Sequence, residues 1–426
     1  MKLFIRFSLF TTFIVLLFIV YRSEIFHTGL RRDYYLPYFY ISIFLVIFFI
    51  ILLNVNKKFK EYCVIIFMSI LFSLYCFESY LILKDSNFYK KVSVFNFYKD
   101  IKKKDPQIVM TIPPNHYRQK MDVVGGGAND IFSLSGISNV PTLACNENGY
   151  YSIYISDRYG FNNPDIEWNS REIEYFLVGD SFTHGACVNR PDDISSVLRN
   201  VSAKTVLNLG YGGNGPLIEY ATLREYLTPN VKKVLWLYFE GNDLNDLDKE
   251  LKNEILNKYL KNTNFSQNLK YKQDKVNKLG RSFLEEEVKR KETQSIILDN
   301  IIIKFIKLSN SRRILQYADP KFENAKLEEL KIILNLANEL VKKNNSQLFF
   351  IYLPSFQRYE MKNPDSLLKK NIEKIINNLN IPFIDIDNEV FKKENHLNMF
   401  ASFDSHYNVT GYKKIALKIY EKTRKN

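Results

Sequence analysis

A serine placed directly after Gly-Asp, where an apolar run ends and a turn begins, is the first point in this sequence that suggests chemistry. The run is "EYFLVG" (174–179), and the chain continues "DSFTHG" to Gly185. A Ser hydroxyl is a weak nucleophile unless a base takes its proton, so the five histidines decide whether Ser181 can react. His27 falls between apolar runs near the amino end, and His116 and His396 have no chemical company in their local sequence. His184 stands one helical turn beyond Ser181, pointed along the same helix and away from in-line attack. His406 remains, in "FDSHYNVTG" (403–411), with Asp404 two residues before it to hold the imidazole tautomer.

Acyl transfer also needs donors for a developing oxyanion. "NLGYGGNGP" (208–216) follows a second apolar run and offers unhindered backbone N–H groups at Gly213. "FEGNDLND" (239–246) follows a third and offers the Asn242 side-chain amide. Each piece alone is a common loop sequence. Their order, at successive strand ends, points to one site.

With these blocks in place, the stretch from about 174 to 420 resembles the SGNH or GDSL hydrolase family, named for its Ser, Gly, Asn and His. The resemblance puts the nucleophile on Ser181, whose N–H would also serve the oxyanion. It puts the Gly donor on Gly213, five on from Asn208, the Asn donor on Asn242 and the base on His406. Much of the family carries its triad Asp three residues before the His. Here that place is Phe403 and Asp404 lies two before, in an Asp-x-His-x-Asn pattern similar to branches acting on cell-envelope polysaccharides. The resemblance implies a serine-dependent ester hydrolase working through an acyl-enzyme, with no cofactor. No Cys or His cluster has metal-ligand spacing, so no metal is expected.

These residues need a scaffold. Nearly continuous apolar runs at 174–179, 205–210, 233–240, 347–354 and 381–386 fit strands of a parallel sheet covered on both faces. Helical patterns fall between them, as in "LEELKIILNLANELVKK" (327–343), so the fold class is α/β: a doubly wound parallel sheet, three-layered and flavodoxin-like. Ligands in such sheets bind outside the carboxyl ends of the strands, where Ser181 sits. The charged stretch 244–323 reads as a helical insertion that could cover or shape the site. Before the core, 86–170 reads as a juxtamembrane linker and a small β-rich leader, with "QIVMTI" and "YYSIYI" as strands and the Gly125–Gly127 run as a turn without phosphate-loop spacing. The hydrolase-like domain is then 171–426.

Residues 1–85 hold three greasy runs, at 7–21, 37–53 and 62–77, each near the ~17 to 25 residues that span a bilayer. Lys2 and Arg6 could open a cleaved signal peptide, but no small-x-small site follows and two more spans do. Lys57, Lys58 and Lys60 between spans two and three, with Lys2 and Arg6, set the amino end in the cytoplasm; Arg22, Arg31 and Arg32 argue the other way but less densely. Three spans then leave the large domain outside a bacterial plasma membrane. The net charge of +13 is spread among interleaved acids, as in "LEEEVKRKE", and no nucleic-acid motif accompanies it. Cys63 and Cys76 lie in the third span, whereas Cys145 and Cys187 lie in the outward domain and are expected to form a disulfide. Three functions are consistent with this arrangement. One is a hydrolase of acylated envelope glycan or glycolipid, another an O-acyltransferase supplied by a membrane acyl-donor partner, and the third a membrane-anchored binding protein that keeps only the fold.

Overall fold

A computed structural model describes residues 2–26, 32–84, 86–112, 131–293, 302–303, 305–314, 326–360, 367–402 and 405–424. The chain divides into two units, one of residues 1–86 with 294–321, the other of 87–293 with 322–426.

The first unit is built on α1 (Lys2–Val20), α2 (Arg32–Asn54) and α3 (Lys57–Lys84). Apolar spans of 24, 20 and 27 residues, the first running on from α1 into the π-helical turn Tyr21–Phe26 and the others within α2 and α3, have mean hydropathies of 2.5, 2.7 and 1.9, enough to cross a membrane. At about 1.5 Å per residue even the shortest reaches ~30 Å. Phe7, Phe44, Ile65 and Phe72 are exposed, as side chains that face lipid would be, while Ile5, Phe49 and Leu52 are buried where the three helices meet. The stretch read as one insertion at 244–323 is divided between the units. Residues up to 293 stay with the sheet, whereas the described residues of 294–321 belong with the apolar helices. The physical reason is composition: "IIIKFIKL" (301–308) is as apolar as a span apart from its two lysines.

In the second unit, the leader forms a small sheet of β1 (Val109–Met110), β2 (Pro141–Leu143) and β3 (Ile153–Ile155), with β1 parallel and β3 antiparallel to β2. It packs on α4 (Ser86–Lys104) through Tyr98, Val109, Val140 and Leu143, with the rings of Phe97 and Tyr151 stacked at 3.7 Å. Gly125–Gly127 and His116 lie outside the described residues.

The main sheet comprises β4 (Ile173–Gly179), β5 (Val206–Asn208), β6 (Val231–Phe239), β7 (Gln347–Leu353) and β8 (Phe383–Asp385). All neighbours are parallel, in the order β5-β4-β6-β7-β8. The strands read as unbroken apolar runs because both faces are covered. Phe176, Val178, Val234, Trp236, Phe350 and Tyr352 meet helices Pro216–Tyr226, Leu327–Lys343 and Leu367–Asn378 on one face. Tyr175, Leu177, Leu235, Leu237, Phe349 and Ile351 meet helices Ile194–Ser202 and Val409–Thr423 on the other. The strand order reverses between β4 and β6, and in sheets of this order ligands bind outside the strand ends at that point.

Candidate active site

Ser181 opens the four-residue helix Ser181–His184 directly after β4. Asp180 caps it, its carboxylate accepting from the Phe182 N–H at 2.8 Å. The Ser181 N–H, at the first helical position, has no intrahelical partner and is available to a ligand. His406 arrives from the far end of the chain, just before helix Val409–Thr423, and its Nε2 lies 2.9 Å from Ser181 Oγ. Phe182 fixes the imidazole from below at 4.7 Å between ring centroids, and Phe182 is itself stacked on Phe239 at 3.7 Å.

The acid facing His406 Nδ1 is Glu147, from the leader. Its Oε2 lies 3.0 Å from Nδ1 and also accepts the His406 backbone N–H at 2.8 Å. One carboxylate oxygen thus fixes both ring and main chain, the orienting role that the triad arrangement requires. Asp404, expected in this role, lies outside the described residues. Sequence spacing misses Glu147 because it stands 259 residues from His406. The local signal was its place two residues after Cys145.

The leader reaches the site because it is fastened there. Cys145 and Cys187 form a disulfide, and Cys187 Sγ lies 3.8 Å from His406 Nδ1. Around that bond, Asn148 Nδ2 donates to the Cys187 carbonyl at 2.9 Å, Ser152 Oγ to the Val188 carbonyl at 2.9 Å, and the Ile153 N–H to Asn189 Oδ1 at 3.0 Å. Glu147, Cys187 and His406 do bring three ligand-type atoms close together. With Cys187 oxidised the set lacks its thiolate, and thiolates are what bind metals of this class.

The expected oxyanion donors converge on Ser181 to different degrees. The turn after β5 passes against Ser181: a Cβ on Gly212 would lie 3.8 Å from Ser181 Cβ. Gly213 has φ +78°, a left-handed conformation that suits glycine, and the N–H groups of Gly212 and Gly213 have no backbone partner among the described residues. Asn242 follows β6 and precedes helix Asp243–Glu250. Its Nδ2 donates to Asp246 Oδ2 at 2.7 Å, which fixes the amide and leaves its second hydrogen for a ligand. The preceding Glu240 is held by Arg358 Nε at 2.7 Å, the Ser355 N–H at 2.8 Å and the Tyr352 hydroxyl, so the loop carrying Asn242 is anchored from β7.

Buried carboxyls crowd behind the site. Burial pushes Asp180 up to about 7 and Glu250 up to about 8, although Glu250 accepts the N–H groups of Gly215, Leu217 and Ile218. Burial likewise holds Glu219 and Asp243 well above the usual carboxylate range. His184 points into the core between Tyr154 and Tyr211, and burial lowers it to about 4, which favours the neutral ring. Ser181 is part-exposed, and the His406 and Glu147 side chains keep 23% and 20% of their surface open to solvent.

No protein-family model matches the sequence, and no curated protein does. Solved structures are similar. A member of the lipolytic protein G-D-S-L family from Veillonella parvula is 14% identical, with a TM-score of 0.34 over 60% of this chain and 100% of that one. The lipase/acylhydrolase from Enterococcus faecalis is 13% identical, with a TM-score of 0.35 over 59% of this chain and 96% of that one. At these values the likeness carries no argument about chemistry, which rests on the site itself.

Proposed function

We propose that the chain is a membrane-anchored, serine-dependent acyl-ester hydrolase of the SGNH type acting on acylated, chiefly acetylated, envelope glycan or glycolipid. The observation that carries the reading is the 2.9 Å contact of Ser181 Oγ with His406 Nε2, with Glu147 at 3.0 Å from Nδ1. His406 takes the Ser181 proton while Oγ bonds to the ester carbonyl carbon. The oxyanion is met by the N–H groups of Ser181 and Gly213 and by the Asn242 amide. The carbon–oxygen bond to the sugar then breaks, and the leaving hydroxyl takes the proton back from His406. Water, deprotonated by the same His406, attacks the acyl-serine, the bond from the acyl carbon to Oγ breaks, Oγ takes the proton back from His406, and the carboxylic acid leaves.

The envelope substrate is supported by the three apolar spans and by the lysine pattern, which favours an amino end in the cytoplasm and so a hydrolase unit outside. The partly open triad suits a bulky glycan, and it would also let a sugar hydroxyl replace water. That is the acyltransferase reading, with a membrane partner supplying the acyl group. The test is release of acetate from O-acetylated polysaccharide by the full-length protein in detergent, alongside Ser181→Ala. Acetate release by the parent and none by the variant supports the reading. Equal release from both overturns it, and transfer to an added sugar acceptor in place of release selects the transferase.

A further inference from the structure

Residues 305–311 are held against α3 by contacts that any membrane around α3 must also accommodate. The Tyr75 hydroxyl donates to the Ile306 carbonyl at 3.3 Å, and the Tyr75 ring lies 4.9 Å from Phe305. One turn further along α3, the fully buried Glu78 accepts the N–H groups of Asn310 and Ser311 at 2.9 and 2.8 Å and the Ser311 hydroxyl at 2.7 Å. These donors belong to the first turn of the helix Ser309–Ile314, whose N–H groups have no intrahelical acceptor. From α2, the Tyr38 ring lies 5.2 Å from the Arg312 guanidinium.

Tyr75 and Glu78 lie inside the apolar span Lys57–Leu83, before its end. At about 1.5 Å per residue Tyr75 is ~12 Å and Glu78 ~8 Å within it. An ionisable group at such a depth is costly unless bonded, and every backbone polar group there needs a partner. Glu78 is bonded, and in turn gives the Asn310 and Ser311 N–H groups their acceptor. On the outer side of the segment, Ile302, Ile303 and Ile306 are 44%, 49% and 62% exposed.

We propose that 302–314 is a re-entrant membrane segment, anchored by Glu78, with Ile302, Ile303 and Ile306 set against lipid acyl chains at the end of α3 farther from Lys57. The inference rests on α3 crossing the bilayer and is independent of the chemistry at Ser181. It gives the hydrolase unit three chain connections to the membrane unit, at 86/87, 293/294 and 321/322, where an amino-terminal anchor alone would give one.

The test is electron paramagnetic resonance of the full-length protein in lipid vesicles, with Cys63 and Cys76 replaced by Ser. A nitroxide is placed on Cys at 302, 303 or 306, or at the exposed Ile332 of the hydrolase unit as a control. The segment labels should collide with dissolved oxygen more than with a water-soluble nickel chelate, and the Ile332→Cys label the reverse. Glu78→Ala should shift the segment labels toward the chelate. Should that variant fail to accumulate, the pattern in the protein with Glu78 intact decides alone. Segment labels as chelate-accessible as the control would overturn the proposal, and so would immobilised labels shielded from both reagents, which would mean a protein partner covers them.

Discussion

Glu147 Oε2 lies 3.0 Å from His406 Nδ1 and 2.8 Å from the His406 backbone N–H, so the carboxylate facing the imidazole comes from the leader and not from the α/β core. A neutral amide cannot stabilise the imidazolium that forms during attack. Glu147→Gln should therefore lower kcat on a small chromogenic acetate ester by about 10²- to 10⁴-fold with KM little changed. Asp404→Asn should leave kcat within a few-fold. The opposite ranking in steady-state kinetics would return the role to Asp404.

The Cys145–Cys187 bond stands two residues from Glu147 and 3.8 Å from His406. Reduction with a dithiol should lower kcat by loosening Glu147. The same treatment of Glu147→Gln should then cost little more, because neighbours acting through one group are not additive. Equal losses in both proteins would mean that the bond supports the fold and not the acid.

In the proposed reaction Asn242 is one oxyanion donor of three. Its replacement by Ala should cost about 10²- to 10³-fold in kcat, about 2.7 to 4 kcal/mol. Asp246→Asn should cost less, since it only releases the amide. An unchanged kcat for Asn242→Ala would remove that residue from the oxyanion site.

Burial raises Glu250 from 4.5 to about 8, so the folded protein keeps a proton that the unfolded chain has lost over this interval. Its stabilising contribution is complete below about pH 4.5 and is lost as pH rises toward 8, by up to about 1.4 kcal/mol per pH unit per proton. Trp168 and Trp236, the two tryptophans of the chain, both lie in the unit that holds the parallel sheet and report its melting. Between pH 5 and 8 the Tm from their fluorescence should fall more steeply in the parent protein than in Glu250→Gln. Parallel slopes would contradict the assignment.

Much of this was legible in the sequence, for a physical reason. Strands covered on both faces need unbroken apolar runs, and helix Leu327–Lys343 falls where its apolar stripe predicts. Ser181 and His406 stood out because a reactive serine is expected at a strand end and few histidines competed to be its base. Glu147 did not, because no periodicity marks a loop acid that a disulfide and three hydrogen bonds bring to a distant imidazole. The segment 302–314 was hidden for a similar reason. Its Ile-rich run reads as part of a charged helical insertion until Glu78 is seen to bind it.

The central claim is that Ser181 is a nucleophile made reactive by His406, and covalent labelling reads this without knowledge of the natural substrate. The full-length protein is treated with a fluorophosphonate, which phosphonylates activated serines, and digested for peptide mass spectrometry. One added phosphonyl group is expected on Ser181 in the peptide containing "GDSFTHG", lost in Ser181→Ala and strongly slowed in His406→Ala. An unlabelled parent protein, or labelling that persists unchanged in Ser181→Ala, would contradict the account.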